Sequence, residues 1–145
     1  MHAVRFMEKI KKIKYDYVIM LQPTCPLRKY YDIDDSLRKL INSNLDSITS
    51  VVDVEGSHPN RMKIIKNKKL INFIEQGFED MRPRQKLKKV FIRNGAIYAL
   101  KRKVIMKHGV LVGKKNLPFI MSKERSVNID SQEDLVLAKY YLDRK

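Results

Sequence analysis

The stretch Val18-Ile19-Met20-Leu21-Gln22-Pro23-Thr24-Cys25-Pro26-Leu27-Arg28 decides the fold. Its first four residues form a short, wholly apolar run beside turn formers, the mark of a strand buried on both faces. Pro23 and Pro26 then forbid a continuing ladder, and no helix can begin until Pro26 is passed. A buried strand therefore opens into a stiff loop at its carboxyl end, which is where open α/β sheets bind ligands.

Working outward, Val4, Met7, Ile10 and Ile13 recur at helical spacing and predict an amphipathic helix over 2–14. Downstream, Asp32 can cap a helix whose apolar stripe is Ile33, Leu37, Leu40 and Ile41. Residues 47–54 are rich in β-branched side chains and read as a second strand. Residues 61–65 and 70–74 read as a hairpin across Asn67-Lys68-Lys69. A strand over 90–100 is interrupted at Asn94-Gly95, and a short helix over 103–108 is closed by Gly109. Short strands are expected at 118–121 and 126–129. Ser131 with Asp134 has the form of a capping box, and Leu135, Ala138 and Leu142 would then face the core. This order predicts an α/β fold with a mostly parallel sheet and an inserted hairpin.

The 145 residues suffice for one domain, and 43% hydrophobic with 32% charged residues is a globular balance that argues against disorder. A single cysteine, Cys25, excludes a disulfide scaffold and fits a reducing cytoplasm. No apolar run approaches the roughly 20 residues of a membrane span, and the polar start reads as no signal peptide. The net charge of +15 is concentrated: residues 81–123 hold thirteen basic and no acidic side chains. Such a block suits an anionic partner (nucleic acid, a membrane surface or a small anionic molecule) or is a lysine-rich solvated surface.

Three segments can carry chemistry. Gln22, Thr24 and Arg28 offer an amide, a hydroxyl and a planar cation on a proline-stiffened loop, although a rigid turn before a helix explains them too. Asn94 and Tyr98 share a face by strand parity unless Gly95 makes a bulge, and a bulged core strand is the plain alternative. Asn128 and Asp130 share a face at the end of a strand, where Asp130 suits either a Mg²⁺ ion or a helix start. The five glycines make neither a dinucleotide-binding nor a Walker A loop. The three histidines are too scattered for a zinc site, and no Gly-x-Ser-x-Gly elbow occurs.

The strings LQPTCPLR (21–28), Asp32-Ile33-Asp34, SITSVVDVEGSHPNRMK (47–63), Arg84-Gln85, IRNGAIYALKR (92–102) and ERSVNIDSQEDLVLA (124–138) run in one order along the chain. In that order and content the sequence resembles the CMP-sialic-acid synthetases, or acylneuraminate cytidylyltransferases. The resemblance implies a nucleotide-diphospho-sugar-transferase-like sheet with a small hairpin excursion, about 61–89, used in dimerisation. It implies transfer of CMP from CTP to a nonulosonic acid with release of pyrophosphate, assisted by Mg²⁺. The implied partners are CTP, the sugar acid and a second copy of the chain, with neither membrane nor nucleic acid. The implied location is cytoplasmic.

Carried over residue by residue, Gln22 matches a sugar-contacting glutamine and Arg84 an arginine near the substrate carboxylate. Asn94 and Tyr98 match a sugar-binding pair, Lys63 a lysine contributed by the excursion, and Asp130 a catalytic, metal-binding aspartate. Two positions depart from the pattern. Cys25 stands where the family usually has serine, and Asn128 replaces the first aspartate of a metal pair, leaving a carbonyl oxygen for metal or sugar. The family's first strand and its glycine-, lysine- and arginine-rich CTP loop have no counterpart among these residues. The chain is therefore expected to be the carboxyl-terminal portion of one longer synthetase domain. The alternative is a basic, non-catalytic module that binds nucleic acid or a partner subunit; few aromatic residues interleave its basic run.

Overall fold

A computed structural model of the chain describes residues 1–75 and 77–144. They fall into two compact units, one of Met1–Val52 with Arg93–Lys145 and one of Asp53–Ile92. The order of elements is α1 (His2–Lys11), β1 (Tyr17–Met20), α2 (Tyr30–Ile41), β2 (Ser47–Asp53), β3 (Lys63–Lys66), β4 (Lys69–Asn72), β5 (Phe91–Lys101), α3 (Arg102–His108), β6 (Asn116–Ile120) and α4 (Gln132–Asp143).

The first unit is built on a four-stranded sheet in the order β1-β5-β2-β6. β2 and β6 run parallel, from Ser47 opposite Asn116 to Val51 opposite Ile120. β1 and β5 run antiparallel, with Tyr17 opposite Lys101 and Met20 opposite Tyr98. Between β5 and β2, Lys101 N–H donates to Asp46 O (3.0 Å) and Ile97 N–H to Ser50 Oγ (2.7 Å), so residue numbers fall on one strand as they rise on the other. That pair is antiparallel as well. β1, β2 and β6 thus point one way, but β5 lies between two of them and points back. The mostly parallel sheet expected from the alternation of elements is corrected to a mixed, mostly antiparallel one. Direction is set by which strand fills the gap between β1 and β2, and no local pattern in 91–101 records that choice.

The core is where the apolar runs of β5 and β2 meet. Ala96, Ile97 and Ala99 pack with Ile48, Leu40 of α2, Cys25, Phe119 and Met121. Buried polar groups on β2 are matched to hydrogen-bond partners, as burial requires. The Ser47 hydroxyl donates to Asn116 Oδ1 (2.8 Å) and accepts from Gly113 N–H (2.8 Å), and Thr49 also donates to Asn116 Oδ1 (3.2 Å).

Several expected elements differ in detail. α2 begins at Tyr30, and Asp32 caps it from the third helical position: its buried carboxylate accepts from Lys29 N–H (2.9 Å). Residues 126–129 form no strand: a 3₁₀ turn ends at Ser126, and Ile129 N–H donates to Thr24 O (2.8 Å) in the loop instead. α4 does start at the Ser131–Asp134 capping box. It buries Ala138 against Leu27 and Val127, while Leu135 and Leu142 stay exposed, contrary to expectation. α1 buries none of its apolar stripe, and Met7, Ile10 and Ile13 are all exposed. It is tied to the start of α3 by Glu8, whose carboxylate accepts from Arg102 Nε (2.5 Å) and Nη2 (2.8 Å).

The second unit holds the hairpin β3–β4, paired antiparallel from Lys63 opposite Asn72 to Lys66 opposite Lys69. Its turn is tighter than expected: Asn67 and Lys68 both take positive φ (51° and 61°), the backbone of a two-residue hairpin turn. His58 is buried, with Nδ1 accepting from Asn60 N–H (3.1 Å) and Nε2 3.0 Å from Lys88 O. The Asp80 carboxylate gathers the Arg82 guanidinium and the Asn60 amide, which hold its carboxyl well below the usual carboxylate range.

Candidate functional site

The loop after β1 is held by its own last residue. Arg28 Nη1 donates to Gln22 O (2.7 Å) and Cys25 O (2.6 Å), so this cation binds the loop backbone. Cys25 N–H closes the same turn onto Gln22 O (3.3 Å). With two prolines and this clamp, the loop presents its side chains in a fixed geometry, which limits the entropy lost on binding.

Two segments distant in sequence converge on it. The Thr24 hydroxyl donates to Asn128 Oδ1 (2.6 Å), and the fully buried Cys25 thiol donates to Asn94 O (2.9 Å) and reaches the same Asn128 oxygen at 3.3 Å. Burial pushes the Cys25 thiol up, more than the Thr24 hydrogen bond and the Arg28 charge pull it down. Gly95, at φ +78°, lies directly beneath the Gln22 carboxamide: a Cβ there would collide with Gln22 Oε1 and approach Cys25 Sγ to 3.3 Å. The interruption read at Asn94-Gly95 is therefore a left-handed residue inside a continuous strand, and its purpose is close approach.

Asn94 is buried and fully engaged. Its Oδ1 accepts from the Ser50 hydroxyl (2.6 Å) and from Ala96 N–H (3.2 Å), and its Nδ2 donates to Ser126 Oγ (2.8 Å). Ser50 and Ser126 are the residues that the sequence reading missed. Ser50 carried one signal, a polar side chain in a β-branched strand; Ser126 carried none.

Asn128 Nδ2 donates to Asp130 Oδ2. The Asp130 backbone is fixed in turn, because its N–H donates to Asp134 Oδ2 (3.1 Å), the carboxylate of the α4 capping box. The Ser131 hydroxyl, then the backbone amides, hold the Asp134 carboxyl below its ordinary value. Asn128 Oδ1 accepts the Thr24 hydroxyl, and the Cys25 sulfur lies 3.3 Å from it with its one proton given to Asn94 O. One exposed carboxylate, Asp130, remains, and no group of three acidic, histidine or cysteine ligands occurs among the described residues. That donor set fits Mg²⁺ in its usual form, an ion that keeps most of its waters and takes one carboxylate plus phosphate oxygens.

The structure thus brings together Gln22, Asn94, Asn128 and Asp130. Tyr98 stands four residues along β5 from Asn94, buried opposite Met20. Lys63 and Arg84 belong to the other unit. There Lys63 Nζ donates to Asn72 Oδ1 (2.6 Å) and pairs with Glu79 (2.7 Å), while Arg84 is exposed at the start of a 3₁₀ turn.

No protein-family model matches the chain. It is similar to the N-acylneuraminate cytidylyltransferases of Streptococcus agalactiae serotypes III and Ia, each 25% identical over 121 residues, which is 81% of this chain and 28% of theirs. It is also similar to the post-translational flagellin modification protein B of Campylobacter coli, 22% identical over 138 residues, 95% of this chain and 57% of that one. The resemblance to the acylneuraminate cytidylyltransferases read from the motifs therefore holds over most of the chain. The chain spans little more than a quarter of the length of the streptococcal relatives. No helix among the described residues is long and apolar enough to cross a membrane.

Proposed function

We propose that this chain carries the acid-sugar side of a cytidylyltransferase site, acting on a nonulosonic acid and CTP with elements that lie outside these 145 residues. The observation that supports this most is the 81% overlap with named N-acylneuraminate cytidylyltransferases. The quoted motifs fall on Gln22, Asn94 and Asn128, which three separate segments bring to one place. In the proposed reaction the sugar's anomeric hydroxyl attacks the α-phosphorus of CTP. A new P–O bond forms, the bond to the β-phosphate oxygen breaks, pyrophosphate leaves and the hydroxyl proton passes to solvent.

In this reading Gln22 offers its carboxamide to the sugar over the open backbone of Gly95. Asn94 forms the floor, and a sugar hydroxyl reaches its amide by displacing the Ser126 hydroxyl. Tyr98 supports that floor, and Asn128 orients Asp130. Arg84 and Lys63, carried by the excursion, would serve the site of a second copy in a dimer, where the planar fork of Arg84 suits a carboxylate by binding both of its oxygens. Mg²⁺ at Asp130, when bound, would offset phosphate charge. The exposed Ile71, Phe73, Ile74 and Phe78 form the surface on which a second copy would pack.

Binding tests this directly. A panel of nonulosonic acids titrated into ¹⁵N-labelled protein should shift the amides of Gln22, Gly95 and Asn128 in a saturable way, whereas CTP alone should shift few. With CTP and Mg²⁺ the isolated chain should release little pyrophosphate. Absence of a saturable response to every acid in the panel would overturn the proposal.

A further inference from the structure

At the end of the sheet opposite Gln22 and Asn128 lies a hollow of about 580 Å³, within the range of small-molecule sites. It is lined by Val104, Val110, Val112 and Gly113, and by Lys103, Lys107, His108, Lys114 and Asp46. We infer that this hollow binds a small amphiphilic anion, an organic carboxylate or phosphate with an aliphatic or aromatic body.

Its walls are built rather than incidental. α3 supplies Lys103 and Lys107, which at i and i+4 stand on one helix face, and Gly109 ends that helix in the left-handed conformation with its N–H on Ile105 O (2.9 Å). The 109–115 loop then returns and is pinned at its far end. Gly113 N–H donates to the Ser47 hydroxyl (2.8 Å), and Lys115 O accepts from Asp46 N–H (2.8 Å) and Ser47 N–H (3.2 Å). A Cβ on Gly113 would come within 2.6 Å of Asp46 Cβ, so glycine lets the loop lie close against the start of β2. Lys114 from this loop and the two α3 lysines rim the same hollow. Three lysines against the single carboxylate of Asp46 leave excess positive charge, and none of the three has an ion-pair partner among the described residues. The valines give the hollow an apolar lining, and Val110 is 41% exposed, an uncovered apolar surface beside unpaired cations. A ligand that satisfies both has a negative head and an apolar body.

The site lies apart from the loops assigned to the sugar acid, so its test is independent of that assignment. Octanoate and hexyl phosphate would be titrated into the ¹⁵N-labelled chain, with acetate as the head alone and octanol as the body alone. Saturable shifts at Val104, Val110, Val112 and Gly113 are expected, with a dissociation constant on the order of 1 mM or below. The tighter of the two probes identifies the head group. Lys107→Glu and Lys114→Glu should each weaken binding roughly fivefold or more, and Lys139→Glu on α4 should leave it within about twofold. Lys103→Gln serves if a charge reversal costs the fold, judged by amide dispersion. The inference is overturned if octanoate and hexyl phosphate both fail to saturate, if octanol shifts the same amides equally, or if Lys139→Glu weakens binding as much as Lys107→Glu.

Discussion

The Thr24 hydroxyl and the Asn128 carbonyl oxygen, 104 residues apart in the chain, are joined by a 2.6 Å hydrogen bond. Cys25 reaches the same oxygen, so one amide closes the loop after β1 onto the segment before α4. Everything proposed for Gln22 and Asp130 depends on that closure, and substitutions around it have definite expected outcomes.

Asn128→Asp keeps the oxygen that Thr24 and Cys25 use but loses the donor to Asp130 and places a second carboxylate beside it. Without divalent cation the variant should be less stable by about 1 kcal/mol, the usual worth of one hydrogen bond. Millimolar Mg²⁺ should restore the loss, because an ion that binds only the folded state raises its stability. Thermal melts with and without Mg²⁺ check both halves. A variant indifferent to Mg²⁺ would remove Asp130 from the metal assignment.

Gly95→Ala should destabilise the chain by about 2 kcal/mol or more, since φ +78° disfavours any Cβ and the methyl would meet Gln22 Oε1. Urea denaturation measures the loss. Gln22→Ala in the same background should recover part of it by clearing the collision while leaving the backbone cost.

Cys25 should resist thiol reagents in the folded chain at pH 7 to 8. It is fully buried, its thiol donates to Asn94 O, and burial lowers the thiolate fraction that such reagents require. Labelling with a chromogenic disulfide at increasing urea should follow unfolding as recorded by dichroism. Rapid labelling without urea would mean that the loop opens on its own.

The Arg102 guanidinium holds the Glu8 carboxyl below its ordinary value. A group depressed in the folded state contributes stability above its unfolded pKa and loses it as the pH falls through the folded one. The attachment of α1 should therefore be constant at neutral pH and weaken as the pH drops below about 4.3, the free glutamate value. Hydrogen exchange of the α1 and Tyr15 amides across that range reads it directly. Glu8→Gln should remove the pH dependence and leave α1 loosely held throughout.

What could be read from the sequence was chemistry confined to a few adjacent residues. Gly109 closes α3 and Ser131 with Asp134 opens α4 because caps are local geometry. The loop after β1 was legible because Pro23 and Pro26 act on their own neighbours. Val127 and Ile129 alternate as a strand would, yet the partner of Ile129 is the carbonyl of Thr24 in a loop, a contact that no pattern within 126–129 encodes. The stripe on α1 shows which face is apolar and says nothing of what covers it. Asn94 was found by its place beside Gly95. Its dependence on Ser50 and Ser126 is a matter of packing across three segments, which spacing along the chain does not carry.

The position of β5 bears on how the molecule comes into being. β1 and β2 are made early, yet neither borders the other; the strand that joins them is not complete until Lys101 has been added. Until then two apolar segments wait without hydrogen-bond partners, with a forty-residue unit still to be threaded between them and their common neighbour. Loops of that span close slowly, and unpaired strands of this kind invite association with other chains. A nascent chain arrested on the ribosome before residue 91 should be cut readily by protease within β1 and β2, whereas one extended well past residue 121 should be protected. The strand that joins β1 to β2 is thus also the clock of the sheet's assembly.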